Sequence, residues 1–209
     1  MSHVALLGDS VFDNRSYTGR EPDVVTHLRA LLPAPWQATL YAVDGATTTD
    51  LGAQLDSLRD HVSQVVLSVG GNDALLNADL LDLPVRSTAQ ALELFEERLS
   101  DFATNYRNAL ESVSCLGRPT TVCTIYNGQL PAPWGARARV ALALFNDVIL
   151  RSALELGSNL IDLRLVCTEP SDFANPIEPS GSGGKKIARA IAHALKLGAG
   201  RHSIGVTAG

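Results

Sequence analysis

The chain is 209 residues long, which fits one domain able to bury a substantial core without disulfides or metals. Hydrophobic residues make up 45% of it and charged residues 19%, which excludes a disordered or fibrous chain. The net charge is −5, and Lys185, Lys186 and Lys196 are the only lysines. No basic stripe exists for a phosphate backbone, so nucleic acid is not an expected partner.

In chain order, an aliphatic run at 3–8 reads as the first strand. A helical pattern at about 21–32 (Val24, Leu28, Leu31) leads to a second strand at 38–43. Another helix, about 50–60 (Leu51, Leu55, Leu58), precedes a third strand at 64–69, whose near-continuous Val65-Val66-Leu67 run suits a sheet covered on both faces. The clearest helix spans about 88–113, with Leu92, Phe95, Leu99, Phe102, Tyr106, Ala109, Leu110 and Val113 recurring at i+3 and i+4. A fourth strand at 119–126 and an irregular 127–135 segment come next. They lead into a helix at 136–156, with Val140, Leu144, Val148 and Ile149 as its apolar positions. A short strand at 159–163, a Pro- and Gly-rich loop at 168–184 and a final helix at 183–197 complete the series.

Strands alternating with helices predict a doubly wound parallel sheet in a three-layer α/β/α arrangement, one flavodoxin-like domain over residues 1–209. Ligands in such sheets bind beyond the carboxyl ends of the strands. Five segments therefore converge on one edge: Gly8-Asp9-Ser10, Asp44-Gly45, Gly70-Gly71-Asn72-Asp73, Tyr126-Asn127-Gly128 and the stretch after Asp162. Three cysteines without a C-x-x-C motif fit reduced thiols. Asp9 interrupts the first hydrophobic stretch, so no secretory leader is expected, and no apolar run is long enough for a membrane span. The expectation is a cytoplasmic protein with no membrane partner; the oligomeric state is not readable.

At this edge Ser10 offers a hydroxyl on a strand-to-loop turn, although a serine there also serves as an ordinary turn or cap residue. Acyl transfer needs donors aimed at the oxygen on which negative charge develops. The Ser10 N–H, the Gly45 N–H and the Asn72 amide supply three such donors at three consecutive strand ends. Tyr126 and Trp134 are candidates for the pocket wall.

The blocks Leu7-Gly8-Asp9-Ser10, Val43-Asp44-Gly45-Ala46-Thr47 and Gly70-Gly71-Asn72-Asp73 resemble, in family order, those of the SGNH (GDSL-type) hydrolases. The resemblance implies an α/β/α esterase or lipase fold with Ser10 as nucleophile and Ser10, Gly45 and Asn72 as the oxyanion hole. The fourth block departs. The family carries D-x-x-H before the last helix, and counting back from Gly183 and Ile187-Ala188 sets Glu178 at the histidine position and Asn175 at the aspartate position. A shifted register uses Asp172 and Asn175 instead, again without a histidine. His3 and His61 belong at the opposite sheet edge, while His27 and His193 sit low on their helices. Only His202, in the tail, escapes this geometry.

Three readings therefore stand at this point. Glu178 is the general base on Ser10, with Asn175 holding its second oxygen; the site is a catalytically silent binder of a carbonyl or carboxylate ligand; or the base comes from a partner or from His202. Asp9, Asp73 and Asn175 are assigned to substrate binding. Asp73 is equally suited to a local backbone contact. The 181–186 Gly-Ser-Lys stretch lacks P-loop spacing, Val11 breaks a D-x-D phosphatase pattern at Asp9, and no metal-ligand spacing occurs. The expected partner is thus a small ester or acylated substrate, with no cofactor and no metal.

Overall fold

A computed structural model describes residues 2–197, with side chains described to residue 195. Its five strands are β1 (His3–Gly8), β2 (Gln37–Leu40), β3 (Gln64–Ser68), β4 (Thr120–Cys123) and β5 (Asn159–Ile161). They form one sheet in the order β2-β1-β3-β4-β5, and every pairing is parallel. The helices are α1 (Val24–Leu31), α2 (Leu51–Asp56), α3 (Gly71–Leu76), α4 (Thr88–Ser114), α5 (Trp134–Glu155), α6 (Leu163–Val166) and α7 (Gly181–Leu197).

The two-residue period of each strand divides the core. Val4 and Leu6 of β1, Val66 of β3 and Cys123 of β4 face one layer, where Val24, Val25 and Leu28 of α1, Leu163 of α6 and Ile187 and Ile191 of α7 cover them. Ala5 and Leu7, Val65 and Leu67, and Val122 face the other, under Leu51 of α2, Phe102, Tyr106 and Leu110 of α4, and Phe145 and Ile149 of α5. Burial on both faces explains the continuous aliphatic runs. The doubly wound, three-layer expectation therefore holds.

Several boundaries shift for identifiable reasons. The fourth strand stops at Cys123 because Asn146, fully buried on α5, takes over both backbone groups of Ile125: Ile125 N–H donates to its Oδ1 at 2.8 Å, and its Nδ2 donates to Ile125 O at 2.9 Å. The second strand ends at Leu40, beyond which the Tyr41 and Ala42 N–H groups both donate to Leu6 O. Gly70-Gly71, read as a loop, in fact opens α3; Gly70 takes the left-handed conformation at φ +115° that caps it. Leu92 and Val140, expected on buried stripes, are 59% and 71% exposed. The buried residues of α4 begin only at Phe102, whereas on α5 Ala138, two positions before Val140, is already buried, so Val140 lies on the outer face of that helix. Phe95 of α4 and Trp134 and Ala138 of α5, in the same early turns, line the site.

Candidate active site

The turn that carries Ser10 is built from the end of β1. Gly8 has φ +127°, and a Cβ there would lie 1.7 Å from Ser68 O, so only glycine lets β1 run this close to β3. Gln54, buried on α2, clamps this residue: Gly8 N–H donates to its Oε1 and its Nε2 donates to Gly8 O, both at 2.8 Å. Beyond it the chain turns tightly. Asp9 N–H donates to Ser68 O, Asp9 O accepts from Phe12 N–H and Asp13 N–H, and Asp9 Oδ1 accepts from Val11 N–H at 3.0 Å. Ser10 is spanned by that last bond and is 7% exposed. Among the described residues its N–H has no intramolecular partner.

The second loop lies against this turn. Val43 N–H donates to Gly8 O and Asp44 N–H to Asp13 Oδ2, both at 3.0 Å. Asn72 Nδ2 donates one hydrogen to Ala46 O at 2.8 Å, which leaves its second hydrogen free. Gly45 adopts φ +82° and its N–H is unpartnered among the described residues. It is exposed, however, and borders a separate hollow with Tyr41, Asp50 and Gln54 rather than the cleft that holds Ser10 and Asn72. Asp73 turns away from the cleft too: Thr48 Oγ1 donates to its Oδ1 and Thr48 N–H to its Oδ2 at 3.1 Å, pinning the second loop to α3. It does not line the cleft, so its assignment to substrate binding gives way to a structural role.

The loop before α7 delivers Glu178. Asn175 Oδ1 accepts from the N–H groups of Ile177 and Glu178 at 2.9 Å, an Asx turn that orients the Glu178 backbone. Asn175 itself is exposed and outside the cleft, so it neither holds the carboxylate's second oxygen nor meets a ligand there. Two side chains tie the loop to the rest of the site. Tyr126 donates its hydroxyl hydrogen to Ile177 O at 2.6 Å, and the fully buried Asn14 donates from Nδ2 to Pro179 O at 3.2 Å while its Oδ1 accepts from Val24 N–H. Asp172, also fully buried, accepts from Thr168 and Glu169 N–H and pairs with Lys186, whose Nζ lies 2.7 Å from its Oδ1. Asn14 and Gln54 carry no sequence signal beyond polar side chains on buried positions.

Glu178 ends 8% exposed beside Ser10. Burial raises its carboxyl above the usual carboxylate range, the Ser10 hydroxyl opposes that by favouring the charged form, and Asp44 adds a small upward push. Its Oε2 is buried without a hydrogen bond of good geometry. Asp9 is 2% exposed, and burial together with the nearby Glu178 and Asp73 charges pushes its carboxyl up to about 7. No histidine lines the cleft among the described residues. His3 packs against His61 at the far edge, His27 reaches only Gly181 O, and His202 lies outside the described residues.

From these polar groups a cleft extends among α3, α4 and α5. Its wall includes Leu75 of α3, Phe95 of α4, Ile125, Leu130 and, from α5, Trp134, Ala138, Leu142 and Phe145; Tyr126 lines it as well. The space spans about 890 Å³ with its solvent-open mouth, but only about 90 Å³ of it is open to the centre of a water molecule. It is a narrow, apolar slot with its polar groups gathered around Ser10. No group of carboxylate, histidine and cysteine side chains with metal-binding geometry occurs among the described residues. None of their helices is long and apolar enough to cross a membrane.

Solved structures with the same fold include the extracellular lipase of Streptomyces rimosus, 18% identical with a TM-score of 0.66 over 93% of this chain and 99% of that one. The acetylxylan esterase Axe2 of Geobacillus stearothermophilus is similar at 18% identity and a TM-score of 0.67, covering 93% of this chain and 94% of its own. Phospholipase A1 of Streptomyces albidoflavus NA297 matches at 18% identity and 0.65, over 93% and 98%. No curated protein is significantly similar to the chain in sequence. The sequence profile of the GDSL-like lipase/acylhydrolase family matches residues 6–185, and the chain belongs to that family of hydrolases.

Proposed function

We propose that the protein is a serine acyl hydrolase in which Ser10 is the nucleophile and Glu178, in place of a histidine, is its general base. The observation that carries this reading is the buried Glu178 carboxyl set against the Ser10 hydroxyl. A carboxylate in water is a weak base, but one that burial lifts toward neutrality accepts a hydroxyl proton more readily. In acylation, the Ser10 O–H bond breaks, its proton passes to Glu178, and Oγ bonds to the substrate carbonyl carbon. The carbonyl π pair moves onto oxygen, where the Ser10 N–H and the free Asn72 amide hydrogen are the available donors; the Gly45 N–H, bordering a separate hollow, is not among them. Collapse breaks the bond to the leaving oxygen, which takes the proton from Glu178. Water then repeats the sequence on the acyl-serine: it loses a proton to Glu178, bonds to the carbonyl carbon, and expels Ser10 Oγ, which recovers that proton.

The apolar walls of the slot support an acyl chain as the buried part of the substrate. The lipase, esterase and phospholipase names of the similar structures agree with ester substrates. Two variants and one probe test the reading. Ser10→Ala is expected to lower kcat/KM on p-nitrophenyl butyrate by roughly a thousandfold or more, and Glu178→Gln by about 100- to 10,000-fold. A fluorophosphonate should label folded wild-type protein at Ser10 and leave urea-unfolded protein unlabelled. Full turnover in Glu178→Gln removes Glu178 from the mechanism. Absence of both labelling and turnover in the wild type favours the silent ligand-binding alternative, which the missing histidine recommends.

A further inference from the structure

Asp9 is the one buried acid of the site that the mechanism leaves without a task. It precedes Ser10 in the chain, and its Oδ2 faces Gly71, where a Cβ would lie 3.6 Å away. Gly71 in turn precedes Asn72, so the Asp9 carboxyl lies against the backbone next to Asn72 and one residue before Ser10, the two residues proposed to donate to the oxyanion. Oδ1 is occupied by Val11 N–H, and the residue lines the cleft. The groups whose charges act on it or feel it are Glu178 from the loop before α7, Asp73 from α3, Tyr106 from α4, Cys123 of β4 and Tyr126 just after it. None is a cation, and no Lys, Arg or His side chain pairs with Asp9 among the described residues.

We propose that Asp9 is a charge-setting positioning residue of the Ser10 site, which must carry its proton for the oxyanion to form beside it. This rests on the hydrolase reading above and adds to it. During acylation the single negative charge moves from Glu178 to the substrate oxygen, so the site's total charge stays constant if Asp9 is neutral. An ionised Asp9 adds a second negative charge next to the developing one in a water-poor cleft, where repulsion is strong. Two interacting acids lose their protons in two steps belonging to the pair. Glu178 loses the first, because the Ser10 hydroxyl favours its charged form; Asp9, more deeply buried, loses the second at about 7. The enzyme therefore works in a mildly acidic window, above the first step and below the second.

The test is the ratio of kcat/KM at pH 9 to that at pH 6 within each enzyme, on p-nitrophenyl butyrate. Wild type is expected to fall about 100-fold, tenfold for each unit beyond 7. Asp9→Asn keeps the acceptor for Val11 N–H and cannot ionise, so its ratio should stay near 1 whatever its plateau height; Asp73→Asn should retain the wild-type fall. A carboxyl 13C titration of wild type labelled at aspartate Cγ should show one signal with a midpoint near 7, lost in Asp9→Asn. A wild-type ratio near 1, the same fall in Asp9→Asn, or a fall abolished by Asp73→Asn overturns the proposal. If Asp9→Asn fails to fold, a wild-type titration with no aspartate above pH 6 overturns it too. A wild type that hydrolyses no ester at any pH overturns the hydrolase reading and this inference together, whereas activity flat to pH 9 overturns this inference alone.

Discussion

Single residues far apart in sequence hold the turn that carries Ser10. Gln54 matters because Gly8 sits at the last rung of β1, where the sheet no longer satisfies its N–H, and the Gln54 side chain does so instead. Gly8 O keeps the Val43 N–H bond if Gln54 is lost, so Gln54→Ala orphans one buried donor and opens a small cavity. The expected cost is about 2–4 kcal/mol in urea unfolding, with kcat reduced because the turn carrying the proposed nucleophile starts at the next residue. Unchanged stability would mean that water replaces the amide. On the proposed reading, a single position limits acyl-chain length. Ala138, 5% exposed on α5, is a small residue in the slot wall. Ala138→Phe should lower kcat/KM for a p-nitrophenyl hexanoate by tenfold or more and leave the acetate nearly unaffected, a split readable in one chain-length series. Equal losses on both esters would place the acyl chain elsewhere.

Elements differ sharply in how legible they were. The five strands and the long helices α4, α5 and α7 declare themselves by aliphatic runs and 3.6-residue periodicity, since burial on one or two faces leaves that imprint in composition. The topology follows, and with it the edge on which Ser10 and Asn72 meet. What periodicity cannot carry is a side-chain amide bridging two loops: Asn14 on Pro179, Gln54 on Gly8 and Asn146 on Ile125 are isolated polar residues whose partners lie 21 to 165 positions away. The short helix α3 escapes notice because Gly70-Gly71 reads as a turn, although the left-handed φ of Gly70 is what starts it. The side chains of Asp73 and Asn175 point away from the cleft for a related reason. Their motif positions identify the right loops but not which way a carboxylate or amide turns, and both turn toward backbone N–H groups that would otherwise be unsatisfied.

At the scale of the whole molecule, the buried acid proposed to set the charge of the site is expected to weaken the fold at neutral pH. Asp9 is 2% exposed, and its carboxyl is raised from 3.8 to about 7 by burial first and by Glu178 and Asp73 after it. An acid whose pKa is higher folded than unfolded binds more protons in the native state, so stability falls as pH rises between the two values. Below about pH 4 Asp9 is neutral in both states and contributes nothing; above about pH 7 it is charged in both, and the folded protein bears the full cost of a buried, unpaired carboxylate. That cost is of order 4 kcal/mol, a large part of the 5–15 kcal/mol typical of a domain. Asp9→Asn should therefore raise the free energy of unfolding by a few kcal/mol in urea at pH 8, the gain shrinking steadily as the pH is lowered from 7 to 4. A gain that is constant with pH would trace to packing rather than charge, and a loss at pH 8 would mean that the ionised carboxylate has a favourable partner. A gain at pH 8 that fades toward pH 4 would mark Asp9 as an acid kept at the expense of stability, since the amide oxygen of Asp9→Asn still accepts from Val11 N–H and leaves the turn around Ser10 in place.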